Sequence, residues 1–126
     1  MTFTPAELRY LEDQRLGRLA TLAPDGTLQN NPVGFTVDAE HGWIDIGGWN
    51  MGASRKFANV QKHPEVSFVV DDIAALDPWT VRGIEIRGRA EAVTGVAGFL
   101  SGEVIRIRPR RIRSWGLGEE SSSRWI

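Results

Sequence analysis

The chain contains no cysteine, which excludes disulfides, thiolate metal sites and a cysteine nucleophile. Histidine is nearly as scarce. His41 reads as a turn residue, and His63 before Pro64 reads as a helix stop, so no metal site is expected. No apolar run approaches the roughly 20 residues that cross a bilayer, and the N-terminus carries no signal-peptide pattern. A soluble, cytoplasmic protein without a membrane partner is therefore expected. A basic excess is also missing: 15 Lys and Arg against 16 Asp and Glu leave a net charge of −1, which argues against a nucleic-acid partner. Lysine is confined to Lys56 and Lys62, so nearly all positive charge is arginine.

What is present suits one compact domain: 126 residues, 41% of them hydrophobic, with no internal repeat. Thr4-Pro5-Ala6-Glu7 opens a first helix with an N-cap hydroxyl, an early proline and a glutamate placed for a capping box; it should end near Gln14. Residues Leu16 to Ala23 read as a strand, and Pro24-Asp25-Gly26 turns the chain into a second. There Val33, Phe35 and Val37 share one face while Pro32, Gly34 and Thr36 share the other. Proline and glycine within a strand indicate an edge, or a surface that a flat ligand approaches closely.

A short third strand spans Trp43 to Ile46, and a fourth, apolar on both faces, spans Glu65 to Val70. After a loop holding Asp71, Asp72, Asp77 and Pro78, a fifth runs from Trp79 to Val93. The last runs from Glu103 to about Trp115, where Arg106, Arg108, Arg110, Arg111 and Arg113 read as the solvent face of an edge strand. The domain is expected to span residues 1–117, with 118–126 as a flexible tail. Six strands with two short helices describe a mostly β, antiparallel barrel, and the surplus of apolar strand faces points to a homodimer.

Between the third and fourth strands, Gly47 to Pro64 holds an electrostatic conflict. Arg55 and Lys56 stand where a helix begins, yet a helix N-terminus carries partial positive charge and unpaired N–H groups. An anion bound there resolves the conflict, which makes a phosphate-bearing cofactor the leading expectation. Gly47-Gly48 is either a plain bulge or a point where a ring approaches the backbone, and Trp49, Asn50 and Met51 enter the site beside it.

Several segments together resemble the pyridoxamine 5′-phosphate oxidase-like split-barrel flavoproteins, in particular the small deazaflavin-dependent reductases of actinomycetes. They are Leu16-Gly17-Arg18-Leu19-Ala20-Thr21, Asn31-Pro32-Val33-Gly34-Phe35, Ser54-Arg55-Lys56 with His63-Pro64, Val81 to Gly88, and Ser114-Trp115-Gly116. The resemblance implies a dimeric FMN-binding split barrel whose cofactor sites lie between subunits. It assigns the cofactor phosphate to Ser54, Arg55 and Lys56, and lays the tricyclic ring along Asn31, Pro32, Val33 and Gly34, near Gly48 and Asn50. Trp115 and Trp79 then wall the ring or substrate cavity. The chain ends Ser123-Arg124-Trp125-Ile126, without the arginine- and histidine-containing signature of the vitamin-B6 oxidases.

Hydride chemistry on such a ring needs no protein nucleophile, so no catalytic side chain is assigned. The implied function is a coenzyme F420-dependent reductase acting on an enone- or quinone-like small molecule. The alternatives are an FMN-binding oxidoreductase, or a non-catalytic flavin- or haem-binding carrier or sensor.

Overall fold

The computed structural model describes residues 2–118 and 120–126. Helix α1 (Pro5–Asp13) begins with the expected capping box: Thr4 Oγ1 accepts from the Glu7 N–H at 3.1 Å and Glu7 Oε1 accepts from the Thr4 N–H at 2.9 Å. Strands β1 (Leu16–Leu22) and β2 (Leu28–Gly34) form the first hairpin. Phe35 alone separates β2 from β3 (Thr36–Asp38), which pairs with β4 (Trp43–Ile46). Helix α2 (Arg55–Lys62) follows a 3₁₀ turn at Met51–Ala53. Three long strands come next, β5 (Glu65–Leu76), β6 (Trp79–Val93) and β7 (Val104–Trp115), and β8 (Ser122–Trp125) closes the order.

All pairings are antiparallel, in the order β2-β1-β5-β6-β7-β4-β3, with β8 alongside β7. The two edges of that order, β2 and β3, are joined through Phe35, so the sheet must curl until its edges meet. This is the expected split barrel with two short helices, built from eight strands where the sequence suggested six. Alternation decides what the barrel holds: Leu19, Phe68, Val70, Ile84, Ile86 and Ile107 are essentially inaccessible to solvent. Helix α2 adds Phe57 and Val60 to this core. Among the described residues no helix is long and apolar enough to cross a membrane.

Three departures have physical causes. The second expected strand breaks at Phe35, because its two halves pair on opposite edges of the sheet. Of the expected Asp-rich loop, Asp77 and Pro78 do form the turn between β5 and β6, but Asp71 and Asp72 lie in β5: Asp72 accepts two hydrogen bonds from the Arg82 guanidinium across the hairpin, at 2.8 and 2.9 Å, and a third from the Tyr10 hydroxyl at 2.8 Å. These bonds offset the poor strand propensity of aspartate. The arginine-rich strand β7 is no edge, since β6 flanks one side and β4 and β8 the other. Its Arg106 is not a solvent-facing residue either, being paired to Asp45 at 2.9 and 3.1 Å.

The tail also differs from the expected free end. Ser122 to Trp125 pair with Arg111 to Ser114, and Arg124 reaches back to Glu7 with Nη2–Oε1 2.6 Å and Nη1–Oε2 3.0 Å. Glu7 is fully buried. Burial alone would raise its pKa, but hydrogen bonds from Arg124, the Thr4 backbone and Ser114 reverse that and hold it below the ordinary 4.5. A depressed carboxylate stabilises the fold above its unfolded pKa and loses that contribution as pH falls through its folded value. Arg124→Met should therefore cost about 3 kcal/mol at pH 7, the low end for orphaning a buried ion because Arg124 is partly exposed. Urea unfolding as a function of pH should show the difference from wild type shrinking below pH 4.5. A difference constant down to pH 2 would contradict the pairing.

Candidate active site

Ser54 is the N-cap of α2: its hydroxyl oxygen accepts from the Phe57 N–H at 3.2 Å, while its proton is directed at the Met51 carbonyl at 2.7 Å. The serine therefore shapes the helix start and turns no free donor outward. Arg55 is exposed and Lys56 half-buried, and among the described residues neither has an ion-pair partner. Their own N–H groups, at the first two helical positions, have no acceptor within the helix.

A buried polar network fixes α2 against β1 and β2. Asn59 Nδ2 donates to Thr21 Oγ1 and to Gln29 Oε1, each at 3.0 Å, and Gln29 Nε2 donates to Asn31 Oδ1 at 2.8 Å. Asn31 thus belongs to the scaffold that positions the cationic helix. Val33, next on the same face, is buried, whereas Pro32 and Gly34 face outward. Sequence reasoning had not singled out Asn59, Thr21 or Gln29. The available signal was an asparagine, a poor helix former, inside a short helix between Phe57 and Val60.

A slot of ≈ 260 Å³ opens beside this region, lined by Gly34, Phe35, Thr36, Gly47, Gly48, Gly98, Phe99 and Leu100. It brings together Gly34 and Gly48, far apart in sequence. A Cβ added to Gly34 would meet only the Arg15 carbonyl at 4.0 Å, and one on Gly48 only the Met51 methyl at 3.7 Å, so both backbones are open to a close ligand. Met51 joins the slot to the helix start, because its sulfur also lies 3.4 Å from Ser54 Oγ. Asn50 and Trp49 are exposed in the turn between. Across the Phe35 seam a second cavity of ≈ 530 Å³ lies against the end of α1, lined by Leu11, Glu12, Gln14, Arg15 and residues 34–37.

The two tryptophans lie elsewhere in the chain. Trp115 packs with Val69, Glu85 and Arg113 around a cavity of ≈ 300 Å³ on the face of the sheet away from the core. Trp79 stands 65% exposed at the end of the β5–β6 hairpin. His63 ends α2, its N–H donating to the Asn59 carbonyl at 2.7 Å, and His41 stacks on Trp43 at 4.3 Å. Among the described residues no group of three or more His, Cys, Asp or Glu side chains is placed to hold a metal ion.

Residues 3–116 match the family model described as pyridoxamine 5′-phosphate oxidase. The chain belongs to that family. Within it, the chain is 46% identical over 127 residues to the 5a,11a-dehydrotetracycline/5a,11a-dehydrooxytetracycline reductase of Streptomyces rimosus subsp. rimosus, an alignment covering 98% of this chain and 89% of the relative. A conserved hypothetical protein of Mycobacterium tuberculosis superposes with a TM-score of 0.70 at 27% identity, over 92% of this chain and 86% of that one. A structure named as an F420 reductase superposes with a TM-score of 0.64 at 24% identity, over 82% and 93% respectively.

The family's barrel here depends on Asn59 for the seating of α2. Asn59→Ala should remove one buried and one partly buried hydrogen bond and orphan Thr21 Oγ1, costing about 1–3 kcal/mol. Chemical denaturation checks this; an unchanged midpoint would show that the network does not hold the helix.

Proposed function

We propose that this protein is an oxidoreductase that binds a flat, phosphate-bearing cofactor, coenzyme F420 in the first instance and FMN as the alternative. It would deliver hydride to an unsaturated small molecule of the enone or quinone kind. The observation that carries this reading is the pair of cations, Arg55 and Lys56, without an ion-pair partner among the described residues, at a helix start joined through Met51 to a glycine-lined slot. The residues fit such a group: the cations and free N–H groups suit a phosphate, and the bare backbones of Gly34 and Gly48 suit the approach of a ring.

Reduced deazaflavin supplies the hydride when bound, and the protein supplies position and charge. Arg55 offers a two-pronged donor and Lys56 a compact charge. Ser54 acts by capping the helix, and Asn31 by anchoring it through Gln29 and Asn59. Pro32 presents no N–H on the outward face of the edge strand, and Val33 fixes the strand in the core. Asn50 borders the turn into the helix. The Streptomyces relative, a reductase of a dehydro compound by name, supports the same class of chemistry.

A second copy of the chain belongs to the proposal. Leu16, Leu28, Ile73, Leu76, Trp79 and Val81 are large apolar residues left exposed, more than scattered single residues would give. Packing them against a second subunit would put the cofactor between chains and give Trp79 and Trp115 access to a site they do not reach within their own chain.

Titration of oxidised coenzyme F420 and of FMN, followed by quenching of tryptophan fluorescence, tests the assignment. Arg55→Ala and Lys56→Ala should each weaken binding of the preferred cofactor by about 1–3 kcal/mol, the worth of a charge-assisted hydrogen bond, with the fold unchanged by circular dichroism. Equal affinity in variant and wild type would sink the phosphate assignment. Binding of reduced coenzyme that no enone or quinone ever oxidises would replace the reductase by a carrier.

A further inference from the structure

Gly34, Phe35 and Thr36 line a cavity on each side of the seam, and the proposed function uses one of them, the slot. The other, of ≈ 530 Å³, has about twice the slot's volume and falls within the roughly 300–1,000 Å³ of small-molecule sites. Its position follows from the way α1 ends. Gln14, the C-cap, is extended at φ −96° and ψ 152°, so the chain leaves the helix at once and enters β1 with Leu16 opposite Gly34. Arg15 is thereby set beside the end of β2, and its carbonyl is what a Cβ on Gly34 would meet, at 4.0 Å.

The lining combines apolar Leu11, Phe35 and Val37 with two ionisable side chains, Glu12 and Arg15. Among the described residues neither Glu12 nor Arg15 has an ion-pair partner. No basic residue stands in the last turn of α1, so the helix end keeps its partial negative charge. The cavity is therefore dipolar. The helix end and Glu12 suit hydrogen-bond donors, whereas Arg15, with five N–H donors and no acceptor, suits an oxygen that carries negative charge.

An unsaturated ketone develops such an oxygen during reduction. When it takes a hydride at its β-carbon, the π electrons move to the carbonyl oxygen; the enolate so formed takes a proton from water at its α-carbon, and the reduced cofactor that gave the hydride is oxidised by two electrons. Reacting groups must come within about 3–3.5 Å of one another. A ligand in this cavity borders one in the slot along Gly34, Phe35 and Thr36, and Gly34 puts no side chain between them.

We infer that the hydride acceptor occupies this cavity and that Arg15 is a catalytic residue, donating hydrogen bonds to the acceptor's carbonyl oxygen as negative charge collects there. Glu12 and the helix end orient the acceptor by receiving its hydroxyl or ammonium groups, which narrows the acceptor class to hydroxylated or aminated ring ketones. The inference rests on the reductase reading, which supplies the hydride.

Titration of the full chain with 7-hydroxycoumarin, with and without bound coenzyme F420, provides the test. This probe is flat, its phenolate resembles an enolate in charge, and phenolate and phenol absorb at different wavelengths. Its ionisation constant should rise at least about tenfold on binding to wild type, as expected beside a cation. Arg15→Met should bring that constant within about threefold of the free probe, and Arg15→Lys, which keeps the charge, should retain a rise of at least about fivefold. Both variants alter an exposed position, so circular dichroism and coenzyme affinity should match wild type. A purely structural role for Arg15 would not move the probe's ionisation. No binding of the probe by wild type, or the same ionisation constant in wild type and Arg15→Met, overturns the inference even where coenzyme binds. Arg15-dependent ionisation in a chain that binds neither coenzyme F420 nor FMN would overturn the reductase reading and leave Arg15 assigned to an anionic ligand in the cavity.

Discussion

A single connection governs the architecture: β2 and β3 occupy opposite edges of one sheet, and only Phe35 lies between them. Strands at opposite edges cannot be consecutive in a flat sheet, so the sheet curls and its edges meet at this residue. Phe35 is held edge-on to Phe68, with ring centroids 5.3 Å apart at 74°. Phe68 in turn fits against β1 because Gly17 presents no side chain toward its ring. The two cavities on either side of Gly34, Phe35 and Thr36 are consequences of that seam, where backbone turns from one edge to the other and leaves its face uncovered.

Charge is managed differently in the frame and at the helix start. Arg106 meets Asp45, Arg82 meets Asp72 and Arg124 meets Glu7, each through paired hydrogen bonds. Asp72 is held below its usual carboxylate range chiefly by the hydrogen bond from Arg82. Among the described residues Arg55 and Lys56 have no such partners. A cation in the first turn of a helix costs about 0.3–1 kcal/mol, whereas a charge-assisted hydrogen bond to an anion contributes about 1.5–3 kcal/mol. An arrangement unfavourable in the free chain thus becomes favourable once an anion is bound.

The fold was legible in the sequence wherever one local rule settled the outcome. Thr4-Pro5-Ala6-Glu7 marked α1, His63-Pro64 marked the end of α2, and alternation at Val33, Phe35 and Val37 separated core from surface. What escaped depended on partners distant in sequence. Nothing near Phe35 shows that the strand changes edges there, and Asp72 reads as a loop residue until Arg82 is known to lie opposite it. The serine-rich end reads as a flexible tail until Arg124 is known to meet Glu7, at the opposite end of the sequence. The site divided in the same way: Arg55 and Lys56 were visible because their conflict with the helix is local, whereas Asn59 gains its role only through Thr21 and Gln29.

The placement of the tryptophans bears on how many chains complete the site. At about 3.3 Å per residue, the 12 residues of β5 carry the chain roughly 40 Å from its start beside α2 to the hairpin end at Trp79. Helix α2, with eight residues rising about 1.5 Å each, can recover only about 12 Å of that. Trp79 therefore stands on the order of 20 Å or more from Ser54 of its own chain. The hairpin end is also where Ile73, Leu76 and Val81 lie exposed around it. An extended apolar arm gains nothing from water, and it is too far out to cover its own barrel. In the proposed dimer the same length that separates Trp79 from its own helix lets it reach across to another, so the distance that rules it out within one chain is what an intersubunit site requires.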